Sequence, residues 1–151
     1  TGKRRSAEGG AAVYFEVAGD CPFTAMIIFQ TKDVGLISQC FLGFSFPRMA
    51  EINQAEELLL SELGNIMLNS LVSALFNALK RSFLPSVPKC IKGESTFLLE
   101  ALCAMLDKKQ TYNLVSMDIN LDCDGTVTRA EVVWVIPDKL KEELEKTSGA
   151  C

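Results

Sequence analysis

Apolar positions along the chain fall into two periods, and the switches between them mark the elements. Val13 to Val17 is β-branched at both ends and alternates apolar with polar or aromatic residues. Gly19-Asp20 supplies a turn and Ala25 to Phe29 a second apolar run, so this stretch predicts a β-hairpin. From Lys32 to Leu42, Val34, Leu36, Ile37 and Phe41 recur at helical spacing, and Gly43 follows as a C-cap. Met49 to Lys80 holds no Pro and a single Gly, Gly64. Within it Leu60, Leu63, Met67, Leu71, Ala74, Leu75 and Ala78 recur every three or four residues, which predicts one long helix with one wide apolar face, with room for a break near its start.

Pro85 and Pro88 end that helix, because proline lacks the amide donor and clashes inside a helix. Pro88 to Ile91 opens a short strand, and Ser95 to Leu106 returns to helical spacing through Phe97, Leu98, Ala101, Leu102 and Met105. From Val115 the period becomes two: Val115, Met117, Ile119, Leu121 and Cys123 alternate with Ser116, Asp118, Asn120 and Asp122. Asp124-Gly125 is a turn signal, Val127 to Ile136 a second strand, and Pro137-Asp138 the start of an amphipathic helix through Glu145. Two hairpins with helices between them predict an α+β sandwich, an antiparallel sheet covered by helices, one of them long. Thr1 to Ala11 is small, charged and Gly-rich and reads as a disordered lead-in to a single domain over residues 12–151.

Composition narrows the chemistry. The 151 residues carry 15 Lys+Arg against 19 Asp+Glu, for a net charge of −4. That balance argues against general nucleic-acid or anionic-membrane binding, and no run of about 18 uninterrupted apolar residues is present. The N-terminus reads as lacking a signal peptide, and a cytoplasmic location is expected. The sequence has no histidine, which excludes Ser-His-Asp and Cys-His catalysis and His-ligated zinc. The six cysteines lack any Cys-x-x-Cys pairing and read as reduced, incidental thiols.

Two motifs remain. Asn120-x-Asp122-x-Asp124-Gly125 with Glu131 has EF-hand spacing, but its flanks read as strands, so a hairpin turn is the better reading. The second motif is a polar stripe on the long helix: Glu62, Asn65, Asn69 and Ser73 lie three and four residues apart on one face. Asparagine is a poor helix-interior residue, and two stand here mid-helix. Leu58, Ile66 and Phe76 border the stripe, a combination suited to docking another protein.

The run Ser61-Glu62-Leu63-Gly64-Asn65-Ile66 resembles the CheC/CheX/FliY phosphatases of bacterial chemotaxis. Their signature is Asp or Ser, three residues, Glu, two residues, Asn, twenty-two residues and Pro. Glu62, Asn65 and Pro88 match it, with 22 residues between Asn65 and Pro88. Leu58 departs from the usual Asp or Ser, and Asn69 stands where many members have Gly, a bulk that would hinder docking. The resemblance implies a phosphatase for the phosphoaspartate of a CheY-like receiver domain. Asn65 would orient the attacking water and Glu62 would pair with the receiver's lysine. Leu58, Ile66, Asn69 and Ser73 would contact the partner, and Pro88 would be structural. It implies no cofactor of its own, a Mg²⁺ ion held by the receiver, and a homodimer as an open question. The alternative is a catalytically silent interaction module like the FliM middle domain.

Overall fold

The computed structural model describes residues 9–47, 51–123 and 125–148. The first hairpin pairs β1 (Gly9–Ala18) with β2 (Phe23–Gln30), with Val13 opposite Ile27. A 3-10 turn leads into α1 (Val34–Leu42), closed by Gly43. There φ is 79°, left-handed space that glycine enters at no steric cost. The long helix α2 spans Gln54–Leu79. After it come β3 (Leu84–Pro85), β4 (Lys89–Glu94) and α3 (Ser95–Ala104). The second hairpin, β5 (Tyr112–Cys123) and β6 (Thr126–Pro137), leads into α4 (Asp138–Ser148).

The sheet is antiparallel in the order β3-β1-β2-β6-β5, and β4 also pairs with β1, on Gly9 to Tyr14, beyond the short β3 pairing at Val17 and Ala18. β1, β2 and β6 are therefore interior strands, and they carry the near-continuous apolar runs of a sheet covered on both faces. On one face Val13, Phe15, Ile27, Phe29, Val132 and Trp134 pack under α1, α2 and α4. On the other, Ala12, Met26, Val133 and Val135 pack under Leu98 and Leu102 of α3. The expected sandwich of antiparallel sheet and helices is what the chain forms.

Several local expectations change. β1 takes in Gly9, Gly10 and Ala11, residues expected in the lead-in; residues 1–8 lie outside the described residues. The long helix begins at Gln54, not near Met49, which lies outside the described residues. Its start is set by a reciprocal capping box. The Asn53 side chain accepts from the Glu56 amide at 2.8 Å, and Glu56 accepts from the Asn53 amide at 3.1 Å. Its end comes at Lys80, in left-handed conformation, five residues before Pro85.

The buried face of α2 also differs. The buried row steps by four: Leu60, Gly64, Leu68, Val72 and Phe76. Four residues turn about 400°, so this row winds about 40° round the helix per step. The straight face expected from mixed three- and four-residue steps leaves Ala74 and Ala78 exposed and Met67, Leu71 and Leu75 half-buried. Phe76, expected beside the exposed stripe, is instead core. It stacks on Phe23 at 5.7 Å and lies 4.9 Å from Phe83, ring centre to ring centre. By length and composition alone α2 would also pass as a bilayer-crossing helix; here its winding row packs on the sheet.

The cysteines depart furthest from expectation. Cys40, near the end of α1, and Cys123, at the end of β5, form a disulfide across a sequence separation of 83. Cys21, Cys90 and Cys103 are free thiols. No local spacing reveals such a pair; only the fold brings the two strand and helix ends together.

Two expectations test this architecture. A Cβ at Gly64 would lie 2.8 Å from Val13 Cβ and 3.0 Å from both its methyls. Gly64→Ala gains about 1 kcal/mol of helix propensity but forces backbone-mounted atoms together, and the clash should win, for a net loss of about 1–3 kcal/mol. Urea denaturation should show the lower midpoint, with partial recovery in Gly64→Ala/Val13→Ala. The disulfide closes a long loop, so its reduction should lower stability by roughly 2–4 kcal/mol. Denaturation with and without reductant reads the loss, and a thiol titration should count two fewer free thiols before reduction than after; equal counts would exclude the bond.

Candidate functional site

The candidate residues lie on the outward side of α2, where the winding apolar row leaves a polar line uncovered. Glu62 is exposed, and Asn65, Asn69 and Ser73 are half-buried. Leu58 and Ile66 border them with 64% and 62% of their surfaces exposed. Large apolar side chains this open on an otherwise well-packed helix form an uncovered surface. The structure thus brings Leu58, Glu62, Asn65, Ile66, Asn69 and Ser73 onto one face, and removes Phe76 from it.

Contacts with β1 and β4 hold this face in place. Gly64, next to Asn65, lets α2 come down on Val13 of β1. At the start of the helix, Glu57 meets Lys92 of β4 at 3.0 Å, and Lys92 Nζ also donates to the Ile52 carbonyl at 3.3 Å. The ion pair is partly solvated and adds little stability, but it fixes the helix against the strand. Beneath the same turn Cys90 lies beside Ser61. Burial pushes the Cys90 thiol above its ordinary value, while a hydrogen bond with Ser61 lowers it, the Glu57 charge raises it and Lys92 lowers it. The net rise keeps Cys90 a neutral thiol, which suits packing and not nucleophilic attack.

The position of Pro88 follows from this layout. After α2 the chain returns along the outer edge of β1, clipped there by Ser86, whose amide donates to the Glu16 carbonyl at 2.8 Å and whose hydroxyl accepts from the Glu16 amide at 3.0 Å. Pro88, half-buried, directly precedes β4, the strand that carries Cys90 and Lys92 against α2. The 22-residue interval from Asn65 to Pro88 is the rest of α2 plus this return. Neither Lys92 nor Ser61 was foreseeable as part of the site, since each acts across elements.

On the face itself, Asn69 Nδ2 donates to both the Asn65 side-chain oxygen at 2.7 Å and the Asn65 backbone carbonyl at 2.9 Å. The signal was available, since amide side chains four apart on a helix are neighbours. The Glu62 carboxylate has no hydrogen-bond or ion-pair partner among the described residues. A free carboxylate and a braced amide, one helical turn apart and aimed to the same side, offer an anchor for a cation and a donor–acceptor pair for a water or an oxyanion.

Two cavities of about 220 Å³ lie elsewhere. One, at the end of α2, is lined by Cys21, Phe76 and Arg81; the other is an apolar groove lined by Leu71, Leu75, Met117 and Trp134. Neither includes Glu62 or Asn65. The candidate site is a helix face, the shape of a surface that meets a macromolecule, and not a concave small-molecule pocket. The EF-hand spacing resolves as a hairpin: Asn120 and Asp122 lie on β5, and the Gly125 amide donates to Asp122 Oδ1 at 2.9 Å. Among the described residues no group of three His, Cys, Asp or Glu side chains is placed to hold a metal ion.

No family model and no curated protein matches the chain in sequence. Solved structures match it in fold. FliY from Thermotoga maritima superposes with a TM-score of 0.66 at 16% identity, over 96% of this chain and 73% of that one. The chemotaxis protein CheX from Vibrio vulnificus gives a TM-score of 0.61 at 14% identity, over 86% and 77%. A CheC-like protein from Shewanella oneidensis gives 0.59 at 16% identity, over 86% and 75%. A CheX–CheY–BeF3–Mg²⁺ complex from Borrelia burgdorferi gives 0.56 at 16%, over 85% and 76%. Over most of its length, this chain has the fold of the CheX, CheC-like and FliY chemotaxis proteins, the group that Glu62, Asn65 and Pro88 resemble in sequence.

Proposed function

We propose that the chain, from Gly9 onward, folds as a single domain that removes the phosphoryl group from the phosphoaspartate of a CheY-like receiver. The observation that carries this reading is the shared, exposed face of α2. It places Glu62 and Asn65 together between the apolar side chains of Leu58 and Ile66, on a fold also found in a CheX that forms a complex with CheY, BeF3 and Mg²⁺. Beryllofluoride stands in for a phosphoryl group, so that complex pairs a protein of this fold with CheY and a phosphoryl mimic.

The chemistry asks for positioning more than for covalent help. The α2 face docks beside the phosphoaspartate, with Leu58, Ile66 and Ser73 in contact. Glu62 accepts from the receiver's lysine and fixes the register. Asn65 holds a water in line with phosphorus. The water oxygen bonds to phosphorus as the bond from phosphorus to the aspartate oxygen breaks. The electron pair stays on the aspartate carboxylate, and both protons of the water leave with the phosphate as dihydrogen phosphate, which then equilibrates with solvent. The metal is the receiver's Mg²⁺, and this chain supplies no cofactor. A second copy of the chain has a place to add, since the outer edge of the 12-residue β5 pairs with no strand among the described residues.

One observation favours the silent-module alternative. Leu58 presents an exposed apolar side chain where the resemblance calls for Asp or Ser. The deciding measurement is the decay of a phosphorylated CheY-like receiver with and without the protein. The intact chain should accelerate phosphate release, and Asn65→Ala should lose on the order of a hundredfold of that acceleration while still binding. Glu62→Gln should raise the receiver concentration needed for half-maximal effect and flatten its salt dependence. Binding to the receiver with no release of phosphate would establish the interaction module instead.

A further inference from the structure

We infer that Asn69 is a positioning residue that fixes which end of the Asn65 amide faces a bound partner. The inference rests on the phosphatase reading for its consequence, and on the hydrogen bonds of α2 for its geometry. The two ends of an asparagine amide have nearly the same shape and opposite hydrogen-bonding character, so an unbraced Asn65 would present either end. Here the choice is forced in two steps. The Asn65 backbone carbonyl can only accept, so the Asn69 atom 2.9 Å from it must be the Nδ2 donor. That same Nδ2 lies 2.7 Å from the Asn65 side chain, which must therefore turn its acceptor, Oδ1, toward Asn69. The Asn65 NH₂ group is left pointing away from Asn69, with both its protons available.

This polarity has a chemical use. An NH₂ turned away from Asn69 can donate to a phosphoryl oxygen of the receiver, while Oδ1, with one lone pair engaged by Asn69, keeps a second to accept from the attacking water. With the amide reversed, the carbonyl oxygen would face the phosphoryl oxygens and repel them. Asn69 achieves this within the helix, four residues on, from a half-buried position where water competes only in part. The bulk expected to obstruct docking is thus turned back along the helix toward Asn65.

Asn69→Ala removes both the bulk and the brace, so the two roles predict opposite results. As a positioning residue, its loss should lower kcat for receiver dephosphorylation on the order of tenfold with an unchanged half-saturating receiver concentration. If Asn69 only obstructs docking, the same variant should bind the receiver more tightly and keep or raise kcat, which would overturn the inference. Asn69→Asp places an acceptor where the donor was, which should reverse the Asn65 amide and lower kcat further than Asn69→Ala does; wild-type kcat in Asn69→Asp would also overturn it. A readout independent of activity is the side-chain amide NMR signal of Asn69. Its protons should exchange slowly with water and should shift in Asn65→Ala. Fast exchange with no shift would refute the brace whatever the enzymatic result. A wild-type chain with the brace intact and no phosphatase activity would overturn the functional reading and with it the catalytic role of Asn69, while leaving the geometry standing. Equal denaturation midpoints across the variants separate these effects from misfolding.

Discussion

The close approach of α2 to β1 at Gly64 sets the rest of the structure. A helix laid over a sheet normally stands off by the width of its side chains. Where glycine faces Val13 the backbone comes down onto the strand, and any Cβ at that point would overlap the Val13 side chain. The contact fixes both the height and the rotation of the helix. With Gly64 pointing at the sheet, Leu60 and Leu68 one turn on either side are committed to the core. Glu62, Asn65 and Ile66 are committed to the other side. The site is therefore a consequence of the packing: a rotation of α2 by one residue, about 100°, would bury part of the polar line and expose part of the core.

That constraint also explains which parts of the fold were legible in the sequence. Hairpins and helices follow from local period and turn chemistry, and the two hairpins, Gly43 at the end of α1 and Pro137-Asp138 at the start of α4 all read correctly from neighbouring residues. The direction of the α2 core face did not, because it is decided by the twist of the sheet beneath and by distant partners. Phe76 looks like the continuation of an exposed stripe until Phe23 and Phe83 are folded beside it. Cys40 and Cys123 look unrelated until the fold brings the ends of α1 and β5 within 5.6 Å, Cα to Cα. In each case the missing information lay in residues far apart along the chain.

The candidate site divides in the same way. The motif positions Glu62 and Asn65 were legible because helical periodicity alone puts them on one face. Their supports were not, except for Asn69, whose i, i+4 relation to Asn65 is itself local. Lys92, Ser61 and Cys90 reach α2 from β4, or reach β4 from α2, and nothing in their sequence neighbourhoods marks the encounter. The 22 residues from Asn65 to Pro88 acquire a physical meaning only with the fold: they are the length of chain needed to finish α2, return along β1 and bring β4 under the start of the helix.

A site without histidine, metal ligands or a pocket can still accelerate phosphoryl transfer when the partner brings the difficult components. An acyl phosphate is already activated, and a receiver holding Mg²⁺ and a lysine has already neutralised much of the charge on the transferring group. What remains is to place one water in line and keep it there, a problem of orientation in which fixing geometry alone is worth several kcal/mol of the barrier. That task asks for a rigid platform and a group of defined hydrogen-bonding polarity, and it penalises a mobile one. A capped helix of 26 residues anchored on a sheet is such a platform, and an asparagine braced at its carbonyl end is such a group. On the proposed reading, the exposed side chains of Leu58 and Ile66 would add what a polar line alone lacks, an apolar border whose burial would favour seating the face on a second protein and drying the space around the water. Under the proposed function, catalysis would be shared between two proteins, and this chain would contribute the amide, the carboxylate and their orientation.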